Sequence, residues 1–343
     1  MTNVSQTVLR PDWLAHRYDP DHDAVHFVIA DRELRREAPF LIDEFLPDAG
    51  SPIIVRRTDA LTATNADSTR IGFIFHSAYC CSTLLANAYD RPGVATSVKE
   101  PVLLNDLTGW RLRGGAPDRI GAILGDALTL LARPFEPGET TIIKPSNVVN
   151  GLAPAMVAAR PEAGVLLIHA PLEIYLASIA NKGLRGRLWV RELLSKQLKE
   201  GLVDFGFTGD DIFKQSDLQI AALGWLAQQR LFTRMAKAWP DRVRSTSSET
   251  LLARPLESLT ALDGLFGITS DAKSRGVIVN TTFRRHAKSG ESFTVDNRLA
   301  EQKVATELHG DEITLVYDWA QLIAEQSGLE FTLPNPLLTN IAS

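Results

Sequence analysis

From residue 70 onward the chain repeats one alternation, a short β-rich apolar run followed by a longer stretch with helical spacing. The runs are residues 71–75, 94–98, 140–144, 165–169 and 242–246. Each has the length of a strand rather than a helix. Within 118–132, Ile120, Ile123, Leu124, Leu128 and Leu131 fall on one helical face. Across 216–239, Leu218, Trp225, Phe232 and Trp239 recur at seven-residue steps. Stripes of this kind are the buried faces of helices. Strands alternating with helices predict βαβ units, and so a three-layer α/β fold with a central parallel sheet. Ligands of such sheets bind beyond the carboxyl ends of the strands.

Residues 1–66 break the pattern. Short apolar runs at 25–29 and 40–45 are mixed with Pro and Asp, and 58–67 reads as a loop. We expect an N-terminal extension over 1–66, forming a small β-rich lobe, and one α/β domain over 67–343. His16, His22 and His26 lie among Asp19, Asp21 and Asp23, which reads as a polar turn, and no metal site is expected.

Charge narrows the partners. With 36 Lys and Arg against 41 Asp and Glu, the net charge is −5, so no global basic field draws nucleic acid or an anionic membrane, and anion recognition must be local. The only cysteines, Cys80 and Cys81, are adjacent and cannot staple distant segments, which excludes a disulfide framework. The start of the chain is polar, without an apolar stretch like a signal peptide, and a cytoplasmic protein is expected. Residues 71–89 carry no formal charge, but His76, Ser77, Ser82, Thr83 and Asn87 make them a strand, a turn and a helix start rather than a membrane span.

That segment is the most informative in the chain. The apolar run of residues 71–75 enters His76, Ser77, Ala78, Tyr79, Cys80 and Cys81, and Ser82-Thr83 then opens an apolar helix. Strand, small-residue loop and helix start are the parts of a P-loop, in which backbone N–H groups wrap an anion and a hydroxyl completes the cradle. The spacing is not that of a Walker A motif. His76 and Cys81 would fall at its two glycines and Ser82 at its lysine, so an ATPase would lack its phosphate-gripping cation.

Downstream, Glu100-Pro101 follows the second strand. Later, Glu249-Thr250-Leu251-Leu252-Ala253-Arg254-Pro255 precedes a helix ending Leu265-Phe266-Gly267-Ile268. In order and spacing these segments resemble the sulfotransferases over roughly residues 70–300. The resemblance implies a P-loop NTPase-like fold that binds the sulfate donor PAPS, with Ser77, Ala78, Tyr79, Cys80, Cys81, Ser82 and Thr83 around its 5′-phosphosulfate. The chain departs from the family at both of its cations. Tyr79 stands where the loop has Lys or Arg, and His169, before Pro171 and Ser178, stands where an Arg binds the donor's 3′-phosphate. Charge could come instead from Lys99, Lys144, the stretch Asn181-Lys182-Gly183-Leu184-Arg185-Gly186-Arg187, or the basic segment bearing Arg285 and Lys288, which follows a strand-like run at 277–279.

Glu100 is the candidate general base, with His76 and Lys99 as further catalytic candidates. Cys80 and Cys81 read as small packing residues of the loop. The expected partners are a nucleotide co-substrate and a small-molecule acceptor, without nucleic acid or membrane, and a homo-oligomer is left open. Two alternatives stand beside sulfuryl transfer: an atypical P-loop kinase, and a nucleotide-binding protein without catalysis.

Overall fold

In the computed structural model the described residues are 8, 10–47, 49–64, 69–284 and 295–339, with the side chains of 284 and 295–306 left aside. The chain opens with a three-stranded antiparallel sheet of β1 (Trp13–Asp19), β2 (Ala24–Ile29) and β3 (Ile53–Arg56). The larger sheet contains β4 (Ile71–His76), β5 (Ala95–Lys99), β6 (Thr140–Lys144), β7 (Gly164–His169) and β8 (Val243–Ser247). All five are parallel, in the order β5-β6-β4-β7-β8.

Every residue of β4, β5, β6 and β7 is buried. That accounts for the continuous apolar runs, since a parallel sheet covered on both faces has no side left for water. The period of two still sorts the side chains. Phe73, Phe75, Val98, Ile143, Val165 and Leu167 enter one core with the Val102–Leu112 and Pro117–Leu131 helices. Ile74, Ile142, Leu166 and Ile168 enter the opposite core with the Leu172–Asn181, Pro255–Phe266 and Val295–Gln326 helices. The result is the expected three-layer α/β architecture. Leu14, Val25, Phe27 and Val55 of the small sheet belong to the first of these cores.

Two local expectations are corrected. The first part of the expected loop at 58–67 instead belongs to a helix, Arg57–Ala63. Its Ala60 is fully buried, and Arg57 is clamped between Asp23 and Asp126, so tertiary contacts override the turn-like composition. The strand-like run 277–279 lies inside the Ala272–Thr281 helix, with Ile278 turned to the core and Val277 exposed. A three-residue apolar run does not separate strand from helix.

At the outer edge of the sheet, Ser245 of β8 exchanges backbone bonds with the C-terminal segment: Ser245 N–H to Asn335 O at 2.9 Å and Leu337 N–H to Ser245 O at 2.7 Å. No helix among the described residues is long and apolar enough to cross a membrane.

Candidate functional site

The strand order makes β4 a switch point. The chain leaves it for β5 and β6 on one side and later returns to β7 on the other. Adjacent connections therefore part above its carboxyl end, where a crevice opens. There the chain runs through residues 77–81 into the Ser82–Ala88 helix.

The loop holds unusual backbone. Ala78, Tyr79 and Cys81 have φ of 72°, 52° and 62°, and Glu100, at the end of β5, has 48°. They are four of the six non-glycine residues with positive φ among the described residues. Each costs on the order of 1–2 kcal/mol in an L-residue, so strain is gathered at this one place. Such strain persists where surrounding contacts over-determine the geometry.

Those contacts are visible. Ser77 N–H bonds Ile168 O at 3.1 Å, and Ala170 N–H bonds Ser77 Oγ at 3.2 Å, tying the loop to β7 and its exit. Ala78 N–H donates to His76 Nδ1 at 3.1 Å, so that nitrogen carries no proton, and Nε2–H donates to Pro145 O at 3.0 Å. In this arrangement His76 braces the loop against the end of β6. An anion over the loop would meet the backbone from Tyr79 onward, because the N–H groups of Ser77 and Ala78 are spent inside.

Beside His76 lies an ion pair. Lys144 ends β6, has no exposed surface, and bonds through Nζ to Glu100 Oε1. Glu100 Oε1 is also 3.6 Å from His76 Nε2, a contact too long for a hydrogen bond. The ends of β4, β5 and β6 thus bring an imidazole, a carboxylate and an ammonium together next to the loop. Lys99 takes no part. Its ammonium donates to Arg36 O and Asn87 Oδ1, both at 2.9 Å, and burial holds it down at about 8. Through Asn87 it fixes the loop's helix.

On the β7 side, Tyr79 packs edge-on against Trp189 and near Tyr175, with Lys182 Nζ 5.8 Å from its ring centre. Burial pushes the Tyr79 phenol up to about 12, opposed by the nearby Arg185 guanidinium. The loop tyrosine is therefore neutral, while Lys182 and Arg185 of the Asn181–Arg187 stretch bring positive charge to it. Burial likewise drives His169 down to about 4, against a hydrogen bond it makes to the Thr246 backbone, so it too is uncharged near neutral pH. Ser178 returns its hydroxyl to Ile174 O at 2.8 Å within its own helix. Cys80 is buried behind the loop and Cys81 is half-buried at the start of the helix. Ser82 and Thr83 are buried at that start. Arg285 and Lys288 lie outside the described residues.

Sequence reasoning missed Asn150 and Gln228. Asn150 Nδ2 donates to His76 O at 3.0 Å and to Gln228 Oε1 at 2.9 Å, a buried polar link at the end of β4. Neither carries a motif, and the two are brought together only by the fold. Asn147 Nδ2, His169 Nδ1 and the Tyr175 hydroxyl are buried near the strand ends without a hydrogen-bond partner. Among the described residues no cluster of three or more His, Cys, Asp or Glu could hold a metal ion.

The His169 shift gives a measurable pH dependence. The unfolded chain takes up this proton near 6.5 and the folded chain only near 4. The unfolded state therefore binds more protons in that window, and stability falls as pH drops through it, by about 3 kcal/mol for this group. Urea unfolding at about pH 7 and pH 4 should show a smaller acid loss for His169→Asn than for the parent. Equal losses would remove His169 from the account.

No known protein family matches the chain, and no curated protein matches it. Among solved structures, a sulfotransferase domain from the curacin biosynthetic pathway is similar, with a TM-score of 0.45 and 13% sequence identity, covering 78% of this chain and 99% of that one. A likeness of that size bears on neither ligand nor reaction, which rest on this chain's own residues.

Proposed function

We propose that this chain is a sulfotransferase-like transferase that moves a sulfuryl group from PAPS to a small acceptor. The observation that carries the proposal is the Glu100–Lys144 pair beside the strained loop at the switch point of the sheet. The ordered motifs around Ser82-Thr83, Glu100-Pro101 and residues 249–268 support it independently.

In this proposal the donor's 5′-phosphosulfate lies over the loop from Tyr79 to Thr83. The acceptor hydroxyl attacks sulfur, forming a new S–O bond. The S–O bond to the 5′-phosphate breaks, and its electron pair leaves on adenosine 3′,5′-bisphosphate. Glu100 takes the acceptor's proton, and Lys144 holds that carboxylate in place. Charge gathering on the departing phosphate needs donors or cations aimed at it. Lys182 and Arg185 act on the loop tyrosine, and the unpartnered Asn147, His169 and Tyr175 atoms would gain partners from a bound molecule.

One observation favours a second reading. Tyr79 and His169 are both neutral where the resemblance calls for cations, which suits a nucleotide-binding protein without turnover. A thermal-shift panel with adenosine 3′,5′-bisphosphate, PAPS, ATP and ADP separates the cases. A ligand at a hundred times its Kd adds about 2.7 kcal/mol to the folded state. A rise in Tm with the bisphosphate and PAPS, followed by sulfated product in an acceptor screen, is the expected result. A rise without product favours the non-catalytic reading, and a rise with ATP alone would sink the sulfotransferase proposal in favour of a kinase.

A further inference from the structure

Two helices beyond the crevice expose leucines that the core does not use. The most exposed on the Gly183–Lys199 helix are Leu184 and Leu188, and on the Val295–Gln326 helix Leu308, Leu315 and Leu322. All five are between 58% and 72% exposed. The second set recurs at steps of seven, which keeps it in one row for about 21 Å of helix. Scattered exposed leucines need no explanation, but rows of them on two helices joined by an ion pair do.

The two rows have opposite charge. Residues 182–199 contain Lys182, Arg185, Arg187, Arg191, Lys196 and Lys199 against a single acid, Glu192. Residues 307–326 contain Glu307, Asp311, Glu312, Asp318 and Glu325 and no Lys or Arg. The rows are joined at one point, where Arg187 Nη2 lies 3.4 Å from Glu312 Oε2. Arg187 sits between Leu184 and Leu188, and Glu312 between Leu308 and Leu315, so the ion pair stands between the leucine rows. Both helices pack on the Leu172–Asn181 helix, and the Arg187–Glu312 pair bridges them.

We propose that this paired face binds a second copy of the chain. A two-fold axis running between the rows and along them lays each basic row on the acidic row of the other copy, and leucine on leucine. The contact is isologous, since one patch supplies both halves. Charge complementarity selects this occupant. A partner of a single sign would meet one row well and be repelled by the other, whereas a rotated copy satisfies both. The arrangement also places Lys182 and Arg185, which flank Tyr79, at the rim of the interface.

Sedimentation of the full chain at low salt tests the proposal. The parent should be a concentration-dependent dimer whose dissociation constant rises with salt. Leu315→Asp and Leu184→Asp lie on the surface and should match the parent's Tm at dilutions where the parent is monomeric, while weakening the dimer at least about tenfold, equivalent to 1.4 kcal/mol. The stronger test is a charge exchange. Lys196→Glu/Lys199→Glu and Asp311→Lys/Asp318→Lys should each be monomeric alone and should dimerise when mixed, because the mixture restores opposite signs across the contact. A monomeric parent at its highest soluble concentration would overturn the proposal. So would a dimer that ignores both leucine variants, or charge variants that fail to pair on mixing.

Discussion

Replacing Glu100 with Gln is expected to lower turnover roughly 10²–10⁴-fold, the range for removing a general base, with donor affinity little changed. The side chain keeps its shape, and its amide oxygen can still accept from Lys144 Nζ, but it can no longer take a proton. Glu100 is held on strained backbone with φ of 48°, and its N–H bonds Lys144 O at 2.6 Å, so the carboxylate has little freedom to be elsewhere. The measurement is single-turnover sulfation alongside bisphosphate binding on the same preparation. Intact turnover together with a lowered Tm would assign Glu100 to the ion pair alone.

The second large effect is expected at Lys144. Lys144→Met removes the buried ammonium and leaves Glu100 without its counter-charge. Breaking a buried pair from one side costs about 3–5 kcal/mol, and the lower end applies here because Glu100 reaches the crevice. Turnover should fall with stability, which alone would not separate the two roles. The double variant Glu100→Gln/Lys144→Met leaves no stranded charge and should regain most of the lost Tm while remaining inactive. Recovery of both stability and activity in the double variant would mean that the pair only holds the fold together.

The large sheet was legible because burial on both faces writes it as apolar runs, and all five runs agree with the strands to within a residue at either end. The Arg57–Ala63 helix was not legible, since its reason lies in Asp23 and Asp126, distant carboxylates that clamp Arg57. At the candidate site, the loop and Glu100 could be named from the order of strands and helices, and Tyr79 from the resemblance. Lys144 could be named only as a spare cation. Its partner is fixed by the register that sets Lys99 of β5 opposite Lys144 of β6 and so brings Glu100 to the ammonium. Lys99 shows the limit of adjacency in sequence. It precedes Glu100 but turns to Asn87 and Arg36, because successive side chains of a strand leave on opposite faces.

The closure of β8 by the segment around Asn335 has a consequence for synthesis. Ser245 Oγ meets Pro334 O, 89 residues further along the chain. At translation rates of 5–20 residues per second, that separation is roughly 5–20 s during which β8 has been made but its covering segment has not. An uncovered edge strand is a template for pairing with other chains. During that interval, nascent copies on one message are exposed to each other through β8, and a chaperone or slow local translation would have its greatest effect there.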